Sequence, residues 1–552
     1  MAVTYMQKLE QEPESYDEKF TLLTDGINNE VKNWVLDKVG SNHSILEVGC
    51  GTGSLASKMA LKGNKVIAID SEFQMINYAM KNYPNKRNIE LNYQIGSAKK
   101  LPVDTNSQDK IISTFMLSEL GPLEQQIFLR NAWESLKSGG RLIIAAEFVP
   151  SGLRKGTFKI KRWRYKKKLK RLKIEQTNPL KHFYDYLAPI GFKIINERYW
   201  NHRSIRVLEL KKEEKKVTPG YYKPDSIKFK GIGSQLKVLR CLLTGQLDNV
   251  PIEPGIYKSG NPDKNSSIIV TANYLYTYIK LMRNIENVDA WVLVVNSNGI
   301  NVWCAARGDD FGNSQLIDAV KATGIHQNTS SRELILPQLA AGGVSKPELP
   351  ENTEEFPFRV KYGPVWSKDL KEYFNSEPKK KPKRMKRAKF TLLHRIRAGI
   401  THTTFLLRKI FLIPFFILFF TLALLDYVNI INKFWMVGDL FIWILFPNLL
   451  LTFFYPIANF TRKFIIKSIL FGAVNTIILG FTTWLLRGIL LFTCLNLMFL
   501  FWIGFFTTMS FSGYTMRTNP REIQNEYKLF KKINYFLLPS ALILTFLSII
   551  FT

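Results

Sequence analysis

The hydrophobic pattern divides the chain near residue 410. Before that point apolar residues come in short runs of strand length set between segments of helical period, and after it they come in long stretches with few polar breaks. In the first 212 residues the runs SILEV, KVIAID, DKIISTFML and RLIIAAEF are each followed by a helical or polar segment, the alternation that predicts an α/β sheet with parallel strands. FKIINERYW and IRVLEL close this region as a β pair. A second alternation, over 213–375, predicts another α/β unit. Within it 252–273 runs from a turn into a strand, 288–304 reads as two β-rich stretches around a turn at Gly299, and NSQLIDAVKATG has a helical period. From 410 to 552 five apolar stretches, roughly 410–428, 434–456, 464–486, 488–510 and 533–551, are long enough to cross a bilayer as helices.

Charge changes this picture less than its size suggests. The net charge is +31, yet two runs, 154–173 and 379–409, hold twelve Lys/Arg each and no acid. The second run, a basic linker over 376–409 with PKKKPKR near its head, abuts the first apolar stretch, so attraction to anionic lipid explains it without nucleic acid. In the first run Phe158, Trp163 and Tyr165 interleave with the cations, which suits a helix lying on a bilayer surface. Single-stranded RNA binding uses a similar mixture and remains an alternative for that run. Placing the soluble front in the cytoplasm puts Arg462, Lys463, Lys467, Arg517, Arg521, Lys528, Lys531 and Lys532 inside and leaves Lys433 and Arg487 outside, as the positive-inside rule requires. The expectation is a multi-pass protein of the cytoplasmic membrane whose polar, acidic start stays in the cytosol. Four cysteines, Cys50, Cys241, Cys304 and Cys494, are far apart and supply neither a disulfide framework nor an iron–sulfur ligand set.

Two segments carry chemistry. In SILEVGCGTG (44–53) a strand runs into Glu47, Gly49, Gly51 and Gly53, and KVIAID ends at Asp70 about twenty residues on. Glycines at a strand-to-helix turn let backbone approach a ligand, and a carboxylate at the next strand's end can accept from a ribose diol. The spacing E-x-G-x-G-x-G resembles the first motif of class I S-adenosylmethionine-dependent methyltransferases rather than the dinucleotide form. The resemblance covers about 20–210 and implies that Glu47, Gly49, Gly51 and Gly53 hold the methionine end, Asp70 the ribose, and Ser97 with Ala98 the adenine edge. Many relatives have Asp where this chain has Ser97. In-line methyl transfer needs mainly positioning, so the lack of an evident base is tolerable.

The second segment is GINVWCAA (299–306), with LILPQLAAGGV (334–344), KYGPVWSKDL (361–370), PGIY and VTANY around it. Taken with the apolar region, it is similar to the mercury-methylating corrinoid protein family, related to the corrinoid iron–sulfur protein of acetyl-CoA synthesis. The resemblance, over about 215–552, implies a corrinoid-binding domain in which Cys304 is the lower axial ligand to the cobalt of a cobalamin, with Thr271, Asn301, Val302, Trp303, Ala305 and Ala306 around the cofactor. It also implies a ferredoxin-like iron–sulfur partner as reductant and a soft metal ion or small molecule as methyl acceptor. A soft anionic sulfur donor suits transfer to a soft electrophile such as Hg(II). Where that family continues Gly-Lys-Gly-Thr, this chain has Arg307, Gly308, Asp309 and Asp310, which leaves the acceptor open. The fold class expected is therefore multidomain: an α/β Rossmann-like methyltransferase (1–212), an α/β corrinoid-binding domain (213–375) and an all-α transmembrane domain of five helices (410–552). Two other readings stand beside corrinoid methyl transfer. One is methylation of a lipid, quinone or small molecule by the first domain; the other is a membrane corrinoid carrier without turnover.

Overall fold

A computed structural model describes residues 12–85, 89–150, 152, 156–160, 162–163, 178–181, 183–200, 204–213, 231–243, 250–307, 310–376, 381–386, 391–393, 395–396, 399, 419–420, 423–424, 427, 435–461, 463–511 and 520–551. The first domain begins with two helices, α1 (Pro13–Leu23) and α2 (Ile27–Val39), whose apolar side chains Tyr16, Phe20, Val31, Val35 and Val39 are buried. They precede β1 (Ser44–Val48), α3 (Ser54–Leu61), β2 (Lys65–Asp70), α4 (Phe73–Asn82), β3 (Leu91–Ile95), β4 (Gln108–Thr114), α5 (Pro122–Ser135), β5 (Leu136–Glu147), α6 (Phe183–Ile190), β6 (Phe192–Trp200) and β7 (Ile205–Lys212). The sheet order is β3-β2-β1-β4-β5-β7-β6, parallel except for β7, which pairs antiparallel with both neighbours. Strands covered on both faces must be apolar at nearly every position, and Ile45, Leu46, Ile111, Ile112, Ile143 and Ile144 are all fully buried.

The second domain comprises α7 (Ile232–Leu243), β8 (Gly255–Ser259), β9 (Ser267–Ala272), α8 (Leu275–Asn284), β10 (Ala290–Val295), α9 (Val302–Arg307), α10 (Asn313–Thr323), β11 (Glu333–Leu336), β12 (Arg359–Tyr362) and α11 (Leu370–Asn375). Its sheet has the order β12-β11-β9-β10-β8, parallel apart from β8. Two expectations are corrected here. The segment 252–273 forms two strands rather than one, because Asp263 and Ser266 close a turn in which the Ser266 hydroxyl donates to Asp263 (2.7 Å). NVWC, read above as part of a β stretch, is helical. The β-branched and aromatic residues favour a strand, but the loop before them is folded back by Asn273 and turned at Gly299 (φ +76), so the chain leaves the sheet and starts a helix at Val302.

Beyond residue 435 four helices are long and apolar enough to cross a membrane: Met436–Ala458, which begins as α12 (Met436–Phe454), then α13 (Phe464–Arg487), Leu490–Met509 within α14 (Leu490–Phe511), and Lys528–Phe551 within α15 (Pro520–Phe551). The expected first span, 410–428, lies almost wholly outside the described residues, as do most of 379–409 and much of 154–173. Pro447 and Pro539 sit inside helices instead of interrupting them. Small residues bring α13 and α14 together: a Cβ on Gly504 would stand 2.9 Å from that of Asn475, whose amide donates to the Leu500 carbonyl (2.7 Å). Asp439 accepts two bonds from Arg487 (2.7 and 3.1 Å), and Lys467 donates to the Tyr455 hydroxyl (3.0 Å), so these charges on the apolar helices have polar partners.

Candidate functional site

Each α/β domain presents a site at the carboxyl ends of its parallel strands, where the chain turns from strand to helix. In the first domain Gly49, Gly51 and Gly53 all take positive φ (77, 54 and 78°). Space forbids side chains as well as strain. A Cβ on Gly49 would stand 2.5 Å from that of Met116, and one on Gly53 would stand 2.7 Å from that of Ala79 and 2.8 Å from the Tyr93 hydroxyl. The loop is anchored to β2 by Gly49 and Cys50 N–H donating to Ile69 (2.9 and 3.0 Å), and by Gly51 N–H donating to the Asp70 carboxylate (2.9 Å). Gly96 N–H donates to the Asp70 carbonyl (2.9 Å), which brings the loop bearing Ser97 and Ala98 to the same end.

The expected residues therefore converge. Glu47 is 1 % exposed, and one of its carboxylate oxygens has no hydrogen-bond partner among the described residues. Burial pushes its pKa up to about 8, against the pull of Lys32 and with a push from Asp70. The Asp70 carboxyl is likewise raised by burial, held back by the N–H groups of Glu72, Gly51 and Ser71. Ser97 accepts from Lys99 N–H through its hydroxyl (3.2 Å), while Ala98 is buried and its carbonyl accepts from Asn131 (3.1 Å). A buried carboxyl with an unused oxygen beside a side-chain-free cradle fits a ligand that carries an ammonium group, as the methionine end of S-adenosylmethionine does.

Several members of this site were not picked out from the sequence. Asp17 on α1 accepts from Thr52 (2.7 Å) and from Lys32 (2.9 Å), and Lys32 also donates to Ser54 (2.9 Å). The first two helices are thus bolted over the glycine loop. Phe115, immediately after β4, is buried at φ +66, a left-handed conformation rare for an aromatic residue and characteristic of functional turns. The signal for α1 and α2 was present as an amphipathic segment before the first strand, but nothing local ties Asp17 to a residue 35 positions away.

In the second domain the backbone of Cys304 lies in α9, which leaves the carboxyl end of β10; its side chain, and the residues Gly308 and Asp309, lie outside the described structure. Asn273 builds the approach. Its side-chain oxygen accepts from Ser297 N–H (2.8 Å), the Ser297 hydroxyl (2.9 Å) and Gly299 N–H (3.0 Å), while its amide donates to Ile252 (3.1 Å). Val302, Ala305 and Ala306 are buried in the sheet's core and seat the helix; Asn301 and Trp303 are half-buried. Gly343, in LAAGGV, is required by close approach, since its Cβ would stand 2.8 Å from the Ala306 carbonyl and 2.2 Å from that of Phe311. Asp310 accepts from the Asn298 amide (2.8 Å), which closes the loop around α9. Thr271, next to the end of β9 and register-paired with Val294 of β10, is 1 % exposed with its hydroxyl unpartnered among the described residues. Its side chain alternates with Val270 and Ala272, so it lies on the sheet face shared with Ile269 and Val294 and not on the face where α9 packs.

Comparison with known proteins assigns the two units. A methyltransferase-domain family profile matches residues 46–144, and the profile of the CO dehydrogenase/acetyl-CoA synthase delta subunit matches 228–355. The gamma subunit of the acetyl-CoA decarbonylase/synthase complex is similar to part of the chain: that of Methanocaldococcus jannaschii is 34% identical over 108 residues, 19% of this chain and 22% of the relative, and that of Methanopyrus kandleri is 31% identical over 104 residues, 18% and 22%. The chain spans about a fifth of the length of these relatives. Among solved structures, a SAM-dependent methyltransferase from Methanosarcina mazei aligns at 20% identity over 31% of this chain and 93% of that one (TM-score 0.27). The magnesium protoporphyrin IX methyltransferase of Synechocystis, solved with SAH, aligns at 19% over 34% and 82% (TM-score 0.27). The N-terminal unit thus contains a stretch that matches a methyltransferase domain. The central unit is similar to part of these gamma subunits and matches the delta-subunit profile over 228–355.

Proposed function

We propose that the chain is a membrane-anchored, corrinoid-dependent methyltransferase that moves a methyl group from a Cys304-ligated cobalamin to Hg(II) or another soft acceptor, beside its S-adenosylmethionine-dependent domain. The observation that carries this reading is the braced helix bearing Cys304, held at the carboxyl end of β10 by Asn273, Gly299 and Gly343. A bound corrinoid would supply a transferable methyl group, and Cys304, a soft sulfur donor, is the residue that would hold its metal. Asn273, Gly299 and Gly343 hold the helix bearing Cys304 at a fixed height above the strand ends. Val302, Ala305 and Ala306 tie the helix to the core. In the first domain Glu47 and Lys32 receive the charged methionine end, Asp70 the ribose, and the glycine loop excludes water.

The four apolar helices anchor the chain in the lipid bilayer, with both soluble domains on the cytoplasmic face. A ferredoxin-like iron–sulfur protein supplies electrons, since the chain's four cysteines are dispersed. Nucleic acid has no part in this reading. The test uses full-length protein in lipid nanodiscs, with a low-potential reductant, a methyl donor and Hg(II), and follows methylmercury. Cys304→Ala is expected to abolish the product while S-adenosylhomocysteine binding stays within twofold. Product that survives Cys304→Ala would place the working centre in the first domain instead.

A further inference from the structure

The first domain carries an exposed apolar pair within its densest positive charge. Residues 156–160 and 162–163, in the connection that follows β5, are helical. Phe158 and Arg162 stand one turn apart and are both half-buried, so they share the face turned to the domain, and the Arg162 guanidinium lies 5.7 Å from the centre of the Phe158 ring. Ile160 and Trp163, three positions apart, share the opposite face and are 56 and 58 % exposed. Lys159 is exposed beside them. The stretch 154–173 to which all five belong holds twelve Lys/Arg and no acid.

This helical segment is tied down at the carboxyl end of the first sheet. The Glu147 carboxylate, at the end of β5, accepts from Arg162 (2.7 Å), and both side chains are largely shielded from solvent. Glu147 N–H donates to the Ser118 hydroxyl (3.0 Å), and Ser118 closes the short turn Met116–Ser118, whose Met116 side chain packs against Gly49. The tie therefore links the segment to the glycine loop on the carboxyl rim of the sheet. Phe73 opens α4 just after β2 on that same rim and is 65 % exposed. Leu61 is as exposed, but it ends α3 on the opposite rim, where β2 starts.

Exposed aromatic and aliphatic side chains ringed by cations match an anionic bilayer, where the apolar groups enter the acyl boundary and Lys and Arg meet head-group phosphates. Single-stranded RNA presents phosphates too, but it wants rings for base stacking, and Ile160 offers none. Four helices apolar enough to cross a membrane in the same chain also favour lipid. We infer that the 156–163 segment seats the first domain on an anionic bilayer, with Ile160 and Trp163 in the lipid and the Arg162–Glu147 pair turning the carboxyl rim, and the glycine loop on it, toward the lipid surface. The seating rests on the membrane anchoring proposed above.

Photocrosslinking on the full-length protein in nanodiscs tests it, using Trp163→p-benzoylphenylalanine, Phe73→p-benzoylphenylalanine and Leu61→p-benzoylphenylalanine one at a time. Lipid adducts located by mass spectrometry are expected at 163 and 73, each at least fivefold above 61. At 163 the yield should be at least threefold higher in phosphatidylglycerol discs than in phosphatidylcholine discs. Arg162→Met should lower the adduct at 73 at least threefold, and Arg162→Lys, which keeps a cation for Glu147, should restore it. No adduct at 163, or equal yields in the two kinds of disc, overturns the seating. An adduct at 61 equal to that at 73, or a yield at 73 indifferent to Arg162→Met, overturns the orientation of the rim. Oligouridylate that attaches at 163 in place of lipid assigns the basic stretch to nucleic acid and overturns the seating as well. Protein that fails to enter nanodiscs overturns the anchoring and the seating with it, whereas protein that enters them without an adduct at 163 counts against the seating alone.

Discussion

The two sites occupy equivalent places, each at the carboxyl end of a parallel sheet, yet they are built by opposite means. In the first domain the chain removes side chains: three glycines at positive φ clear a cradle, and the polar groups around it, Glu47 and Asp70, are carboxyls whose pKa burial raises, Glu47 to about 8. In the second domain the chain adds a brace: one buried amide, Asn273, takes hold of three donors and turns a sequence of strand-forming residues into a short helix. The first loop is specified by what is absent, and the second by what holds it still.

Four experiments press on that contrast, from the largest expected effect down. Cys304→Ala should lower corrinoid-dependent methyl transfer at least a hundredfold with the first domain's nucleotide affinity intact, measured by product formation and by calorimetry on the same preparation. Gly53→Ala should act on the other domain alone. Its Cβ has no room and its φ is positive, so S-adenosylhomocysteine binding should fall more than thirtyfold and the domain should lose about 1–3 kcal/mol in a denaturant titration. Asn273→Ala leaves the Ser297 and Gly299 N–H groups without their acceptor, an expected cost of about 2–3 kcal/mol seen as a lower midpoint for the second domain and faster loss of corrinoid. Equal loss in both domains would break the comparison.

The fourth effect is a pH dependence specific to the cradle. The Glu47 carboxyl titrates near 8 when folded and near 4.5 when not, so between these values the folded form holds a proton that the unfolded chain has released. Ligand-free stability from this group is fully present below about 4.5 and is lost as pH rises to 8. A bound ammonium group reverses the preference, since it favours the carboxylate. Affinity for S-adenosylhomocysteine should therefore rise with pH toward 8, by at most tenfold per unit, with proton release in calorimetry. Lys32 and Asp70 also face this carboxyl, and Glu47→Gln should flatten the profile while leaving both in place.

Much of this arrangement was legible in the sequence where the chemistry depends on local spacing. Glu47, the three glycines and Asp70 lie within 24 residues, and strand-to-helix turns impose their geometry directly. The brace was not, for reasons of distance. Asn273 reads as the end of a strand, and only the fold brings it to Gly299; the β-rich reading of NVWC failed because tertiary bonds outweighed local preference. Arg130 reads as a solvated cation on a polar helix face, and its partners, the Ala322 and Thr323 carbonyls, lie 192 and 193 residues away. Asp17 and Lys32 were hidden likewise. Of the long apolar stretches, 464–486 in the sequence reading matches α13 to within one residue at its end, while 410–428 lies almost wholly outside the described residues.

The visible absorption spectrum of the full-length protein, purified from a corrinoid-supplied host, tests the central claim most directly. The account expects cobalamin bands in the wild type that shift in Cys304→Ala, with the S-adenosylhomocysteine affinity of the two proteins equal. Bands that are identical in both proteins, or a wild type with no corrinoid bound, would contradict it.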